Sequence, residues 1–143
     1  MQIEEVARKL KGSFPLYAKN ILRIITKTGE IEPFRLNPGQ QAIHKQLEDQ
    51  LKERGRIRSL VLKARQVGIS TYVEGRFFWR ITQTRNANAF VLSHLAESTN
   101  SIFNMVRFFY DQVPHPAFKP PISSQSAQAL VFEGLNSRYR VGT

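Results

Sequence analysis

Lys63, Arg65, Gly68, Ser70 and Thr71 stand close together in the stretch LVLKARQVGISTY, Leu60 to Tyr72. Two long cations, a glycine and two hydroxyls at this spacing suit phosphate chemistry. A glycine lets the backbone approach an anion closely. The free N–H groups and the dipole at a helix start favour negative charge there. The usual phosphate loop is G-x-x-x-x-G-K-[ST], in which the lysine neutralises phosphates and the hydroxyl holds Mg²⁺. Laid on this chain, Gly68 and Ser70 fit, but Lys63 takes the first glycine position and Ile69 takes the lysine position. An ammonium on a flexible stem at the start of the loop can reach the same phosphates, so charge is kept while its attachment moves. Arg65 adds a second cation. The plain alternative is a basic strand end followed by an ordinary helix start capped near Ser70.

These residues need a strand, a turn and a helix to position them. RIRSLVLK, Arg56 to Lys63, reads as a short strand with Leu60, Val61 and Leu62 buried. Helical spacing follows from Ser70 to about Thr84. Ala89 to Leu92 reads as a second strand, Ala96 to Gln112 as a helix, and ALVFE and SRYRVGT as a closing strand pair around Glu133 to Asn136. Upstream, Ile3, Val6, Ala7 and Leu10 have helical spacing, ILRIITKTGEIEPF reads as a hairpin, and Gln40 to Arg54 reads as a helix ended by Gly55. The stretch from Pro114 to Gln128 reads as a loop. Strands alternating with helices imply an α/β fold with parallel strands covered by helices. Residues 1–33 form an expected N-terminal helix and hairpin extension, and 34–143 the front part of a phosphate-loop domain.

Bulk properties narrow the classes. The chain has 143 residues, enough for one domain with a core. It contains no cysteine, which excludes disulfides and thiolate metal sites. No apolar run reaches the roughly 20 residues that span a bilayer, so no membrane partner is expected. The opening MQIEEVARKL carries two Glu and no apolar core, unlike a signal peptide. Lysine plus arginine is 21 against 11 acids, a net charge of +10, which favours polyanions, nucleic acid first among them. Lys52, Arg54, Arg56 and Arg58 form a basic run that suits either a solvated face or phosphate-backbone contact. His44, His94 and His115 lack metal-ligand spacing and read as surface or helix-end residues, while Ser93-His94 could line a crevice at a strand end. Phe77, Phe78 and Trp79 read as core rather than base-stacking residues.

FRLNPGQQAIHKQL followed by LVLKARQVGISTY resembles the N-terminal ATPase region of a tailed-phage terminase large subunit, a DNA-packaging motor, over roughly Glu32 to Thr143. AFVLSHLAESTNSIFNMVRFFYDQVP and SRYRVGT resemble its next strand, helix and strand. The resemblance implies a RecA-like phosphate-loop ATPase core, truncated, with ATP and Mg²⁺ as cofactors. Lys63 would neutralise phosphates and Arg65 would steady developing charge. Gln66, Val67, Gly68, Ile69, Ser70 and Thr71 would form the cradle, Ser70 would ligate Mg²⁺, and Gln40, with Gln41 as fallback, would read adenine through a side chain that both donates and accepts. It also implies double-stranded viral DNA, a portal protein, a small terminase subunit and a ring of identical copies as partners, in the cytoplasm of a bacterial host.

The chain departs from that pattern in its acids. ALVFE, ending at Glu133, has the outline of the acidic strand an ATPase needs. It comes too soon after the loop, so Glu133 reads as a decoy at a solvated strand end. The family's acidic strand and its nuclease domain are both missing from these 143 residues, so hydrolysis by this chain alone is not expected. Two other readings remain open: a basic nucleic-acid-binding or assembly module with a vestigial loop, and another phosphate-loop ATPase such as a helicase.

Overall fold

A computed structural model describes residues 2–62 and 68–143. Helix α1 spans Ile3–Gly12, with Glu4 and Glu5 in its first turn and Lys9 and Lys11 in its last, charges that complement the helix dipole. A second helix, α2 over Phe14–Ile21, follows at once; the Ser13 hydroxyl accepts from the Leu16 N–H at 3.4 Å and Pro15 occupies its first turn. Strands β1 (Arg23–Ile25) and β2 (Ile31–Pro33) form the expected antiparallel hairpin, with Ile24 opposite Glu32.

Helix α3 runs over Pro38–Arg54. It begins two residues before the expected Gln40, because Pro38 at the first helical position sacrifices only an N–H that has no intrahelical partner anyway. Gly55 ends it in the left-handed region. Then come α4 (Ile69–Gln83), β3 (Asn88–Leu92), α5 (Ala96–Asp111), a 3₁₀ turn at Pro116–Phe118, β4 (Ser124–Gln125), β5 (Ala129–Phe132), a 3₁₀ turn at Glu133–Leu135 and β6 (Ser137–Gly142).

The fold is α/β, but the larger sheet is mixed rather than parallel. Its order is β3-β6-β5-β4, and only β3 and β6 run parallel. The connections dictate this. A short turn such as Glu133 to Asn136 can join only antiparallel neighbours, whereas the path from β3 through α5 is long enough for a parallel return. Alternation along β6 buries Ser137, Tyr139 and Val141 on the helix side and exposes Arg138 and Arg140 on the other.

One expectation fails. Ile57 to Leu62 forms no strand, and Leu60 and Leu62 are fully exposed instead of buried, with Val61 at 44%. A strand needs a ladder partner and a packed face to persist. The polar bonds described for this segment come from Gln50, which accepts from the Arg58 N–H at 2.8 Å and donates to the Arg58 carbonyl at 3.0 Å.

The core is continuous from the N-terminal helices to the sheet. Phe14, Tyr17 and Ile21 share it with Phe34, Tyr72, Phe78, Phe109, Leu130 and Tyr139. The expected 1–33 extension therefore packs into the same core as the rest. Gly75 makes the α2–α4 approach possible: a Cβ there would meet Phe34, Phe14 and Leu22 at 3.1–3.3 Å. Trp79 donates its indole N–H to the Leu10 carbonyl at 3.0 Å, and Phe78 is buried. Both aromatics thus serve packing.

Candidate functional site

The turn that opens α4 is built around Gly68, the helix N-cap, at φ +79°. This left-handed backbone costs a residue with a Cβ roughly 1–2 kcal/mol. Space forbids one as well, since a Cβ on Gly68 would lie 2.7 Å from Nε2 of Gln40. That contact is a bond: Gln40 donates from Nε2 to the Gly68 carbonyl at 2.8 Å, across 28 residues of sequence.

Gln40 is held in turn by a capping box at the start of α3. Its N–H donates to Oδ1 of Asn37 at 2.8 Å, and its Oε1 accepts from the Asn37 N–H at 2.9 Å. The side chain is 3% exposed. Besides the adenine-reading role that the resemblance implies, Gln40 has a positioning task in the structure, and these bonds leave one Nε2 hydrogen and one Oε1 lone pair uncommitted. Gln41 donates to the Leu36 carbonyl at 2.8 Å.

Below this contact the two helices continue in step. His44 Nδ1 meets the Tyr72 hydroxyl at 2.7 Å, and Arg76 bonds Glu48 at 2.8 Å. Gln40, His44 and Glu48 lie four apart on α3; Gly68, Tyr72 and Arg76 lie four apart on α4. The three contacts are therefore rungs one helical turn apart between parallel helices. Arg76 also donates to the Tyr72 hydroxyl at 3.2 Å and to His44 Nδ1 at 3.3 Å. Because guanidinium only donates, Nδ1 acts as acceptor and the Tyr72 O–H donates to it. Burial first, then the Arg76 charge, lowers the His44 pKa. The surface role expected for His44 is thus corrected. The matching four-residue spacing in both segments was the available signal.

Of the loop residues, Ile69 is buried at 5%, Ser70 is exposed and Thr71 half-buried. Lys63, Arg65, Gln66 and Val67 lie outside the described residues. Beside the turn a cavity of about 640 Å³ is lined by Gln40, Gly68, Thr71, Lys27, Met105 and Phe108, among others. Its size and largely apolar walls suit a small-molecule ligand.

Glu133 lies far from this corner. The α4 end near Ile81 is tied to the start of β6, where Ser137 donates to the Ile81 carbonyl at 2.9 Å. Glu133 sits just before that start, exposed, its N–H bonded to the Ser123 hydroxyl at 3.1 Å. Thirteen residues of helix, roughly 20 Å, separate Ile81 from Gly68. Ser93, by contrast, follows the C-terminal end of β3 and donates its N–H to the Gly142 carbonyl at 2.9 Å, while His94 is exposed. Among the described residues, no group of three or more His, Cys, Asp or Glu side chains could hold a metal.

A different acid is chemically distinctive. Glu74, inside α4, is 3% exposed, and its Oε2 has no hydrogen-bond partner. Burial pushes its pKa up to about 8. The Tyr139 hydroxyl is likewise buried without a partner; burial first, then the nearby Glu74, raises its pKa. At neutral pH Glu74 is mainly a neutral acid.

No protein-family model matches the chain, and no curated protein matches it.

Proposed function

We propose that this chain is the ATP-binding front of a packaging ATPase of the terminase large-subunit type, with a RecA-like phosphate-loop core. The observation that supports this most directly is the Gln40–Gly68 bond. It joins the upstream glutamine to the glycine at the phosphate turn, two features the sequence pairs only through the resemblance. Gln40 fixes the Gly68 carbonyl and orients the first turn of α4 toward an anion. The amides from Gly68 to Thr71 cradle phosphates, joined by Gln66 and Val67, while Lys63 and Arg65 supply the positive charge. The Ser70 hydroxyl would be the chain's ligand for Mg²⁺, which would supply charge neutralisation at the phosphates. The exposed Ser70 at a helix start fits that task without an all-protein cage. The adjoining cavity takes the base. The work of the cycle is moving double-stranded viral DNA, with a portal protein, a small subunit and further copies of the chain as partners in the bacterial host cytoplasm.

Binding of a fluorescent ATP analogue with Mg²⁺ tests the reading. Lys63→Ala should weaken binding tenfold or more, about 1.4 kcal/mol, and Gln40→Ala should weaken it through the turn. Equal binding by Lys63→Ala and the parent would refute the moved lysine. Steady hydrolysis by the chain alone is not expected; turnover abolished by Glu133→Gln would overturn the decoy reading of that residue.

A further inference from the structure

Among the described residues, one face of the larger sheet is uncovered. Helices α4 and α5 pack on the side of Tyr139 and Val141. On the other side, Asn88, Phe90 and Leu92 of β3 and Arg138 and Arg140 of β6 are exposed, with Phe90 at 51% and Leu92 at 67%. Phe90 pairs with Arg140 across the ladder. The guanidinium stands 5.1 Å from the Phe90 ring centre. Gly142 leaves room for that ring: a Cβ there would come within 3.1 Å of it. Arg138 and Arg140, two residues apart on one strand face, leave the strand at positions roughly 6.6 Å apart.

We propose that this face binds single-stranded nucleic acid, with a base stacking on Phe90 and phosphates held by Arg138 and Arg140. Charge decides the class of occupant. A second copy would set these arginines against their equals, on a chain already at +10. A polyanion is drawn to them. Geometry decides the strandedness. A duplex keeps its base faces stacked, whereas a single strand offers them to an exposed ring beside a cationic track. The site is independent of the nucleotide reading, because its residues lie on the sheet face opposite α4.

Fluorescence anisotropy of the full chain with a labelled oligo-dT of about twelve nucleotides, within the usual site range, tests this. Phe90→Ala should weaken binding roughly tenfold or more, and Phe90→Trp should restore it. The pair Arg138→Gln/Arg140→Gln should weaken binding and flatten its salt dependence. The charge-matched pair Arg8→Gln/Lys11→Gln on α1 should do neither to the same degree. Hydrogen exchange over residues 88–92 and 138–142 should slow when the oligonucleotide is present. Equal affinity of Phe90→Ala and parent in folded protein, or no added protection on these strands, overturns the proposal and leaves the face to a polypeptide. Equally tight binding of a duplex, unaffected by Phe90→Ala, overturns it in favour of charge alone.

Discussion

At the residue scale, Ile69 gives a physical reason why a lysine is not found at the usual position of the motif. Its side chain is buried, at 5% exposure. A lysine there would have to bury its ammonium, so under the proposed phosphate-binding role a cation would have to come from another position. Restoring the common motif with Ile69→Lys should therefore destabilise the fold, by about 2–4 kcal/mol in urea unfolding, rather than improve phosphate binding. Unchanged stability would show that the position can turn outward. Gly68→Ala combines a left-handed backbone with a 2.7 Å approach to Gln40, and should cost about 1–3 kcal/mol. Glu74 makes a pH prediction. Its folded-state pKa of about 8 lies above the unfolded value, so the folded state holds the extra proton. Stability from this group is fully present below the unfolded carboxyl pKa and is lost as pH rises through about 8, at up to roughly 1.4 kcal/mol per pH unit. Glu74→Gln should flatten that part of the stability profile. If the variant retained the parent's slope between pH 5 and 8, Glu74 would not be the titrating group.

At the element scale, α3 and α4 act as one unit because three side-chain contacts join them at matching turns. The Glu48–Arg76 rung is partly shielded, with side-chain exposures of 32% and 12%. A double-mutant cycle should give a coupling near 1 kcal/mol, at the upper end of exposed pairs. Zero coupling would mean that the bond is incidental. The middle rung is pH-sensitive in the sense opposite to Glu74. A lowered His44 pKa means that the unfolded chain takes up a proton first. Its contribution is present above the unfolded histidine pKa and declines as pH falls below it. His44→Gln should remove that acid-side loss from a melting series between pH 7 and 5. Helix limits were legible here to within a residue or two, because apolar periodicity and Gly55 mark them locally, although Pro38 opens α3 two residues before the expected Gln40. The rungs were harder to read: each depends on two segments 28 residues apart adopting the same phase, which no single window displays. The failed strand at Ile57 to Leu62 follows from the same limit. An apolar run such as Leu60 to Leu62 states a preference, but only a neighbouring strand can satisfy its backbone.

At the scale of the whole molecule, helices cover one face of a mixed sheet and excess positive charge is spread over the surface. The α/β class, the hairpin and the closing strand pair were readable from alternation and turn residues. The parallel sheet was not, because strand direction is set by how far the chain travels between strands, as the short Glu133–Asn136 connection shows. Charge balance yields the remaining prediction. Two ion pairs occur among the described residues, Lys9–Glu5 and Arg76–Glu48. Pairs of this kind contribute about 0–1 kcal/mol each, too little to offset the mutual repulsion of ten excess cations. Raising salt shortens the screening length from about 30 Å at 0.01 M to about 8 Å at 0.15 M. That change weakens repulsion across the whole surface while barely affecting contacts of 3–4 Å. The thermal midpoint should therefore rise by a few degrees over this range, because about 1 kcal/mol moves a domain of this size by roughly 2–5 °C. Sodium chloride should serve as well as a phosphate salt if screening alone is responsible. A midpoint that falls with added sodium chloride would mean that close attractive pairs outweigh the net charge. A rise with phosphate alone would locate the effect at the turn before α4 that is proposed to bind phosphate.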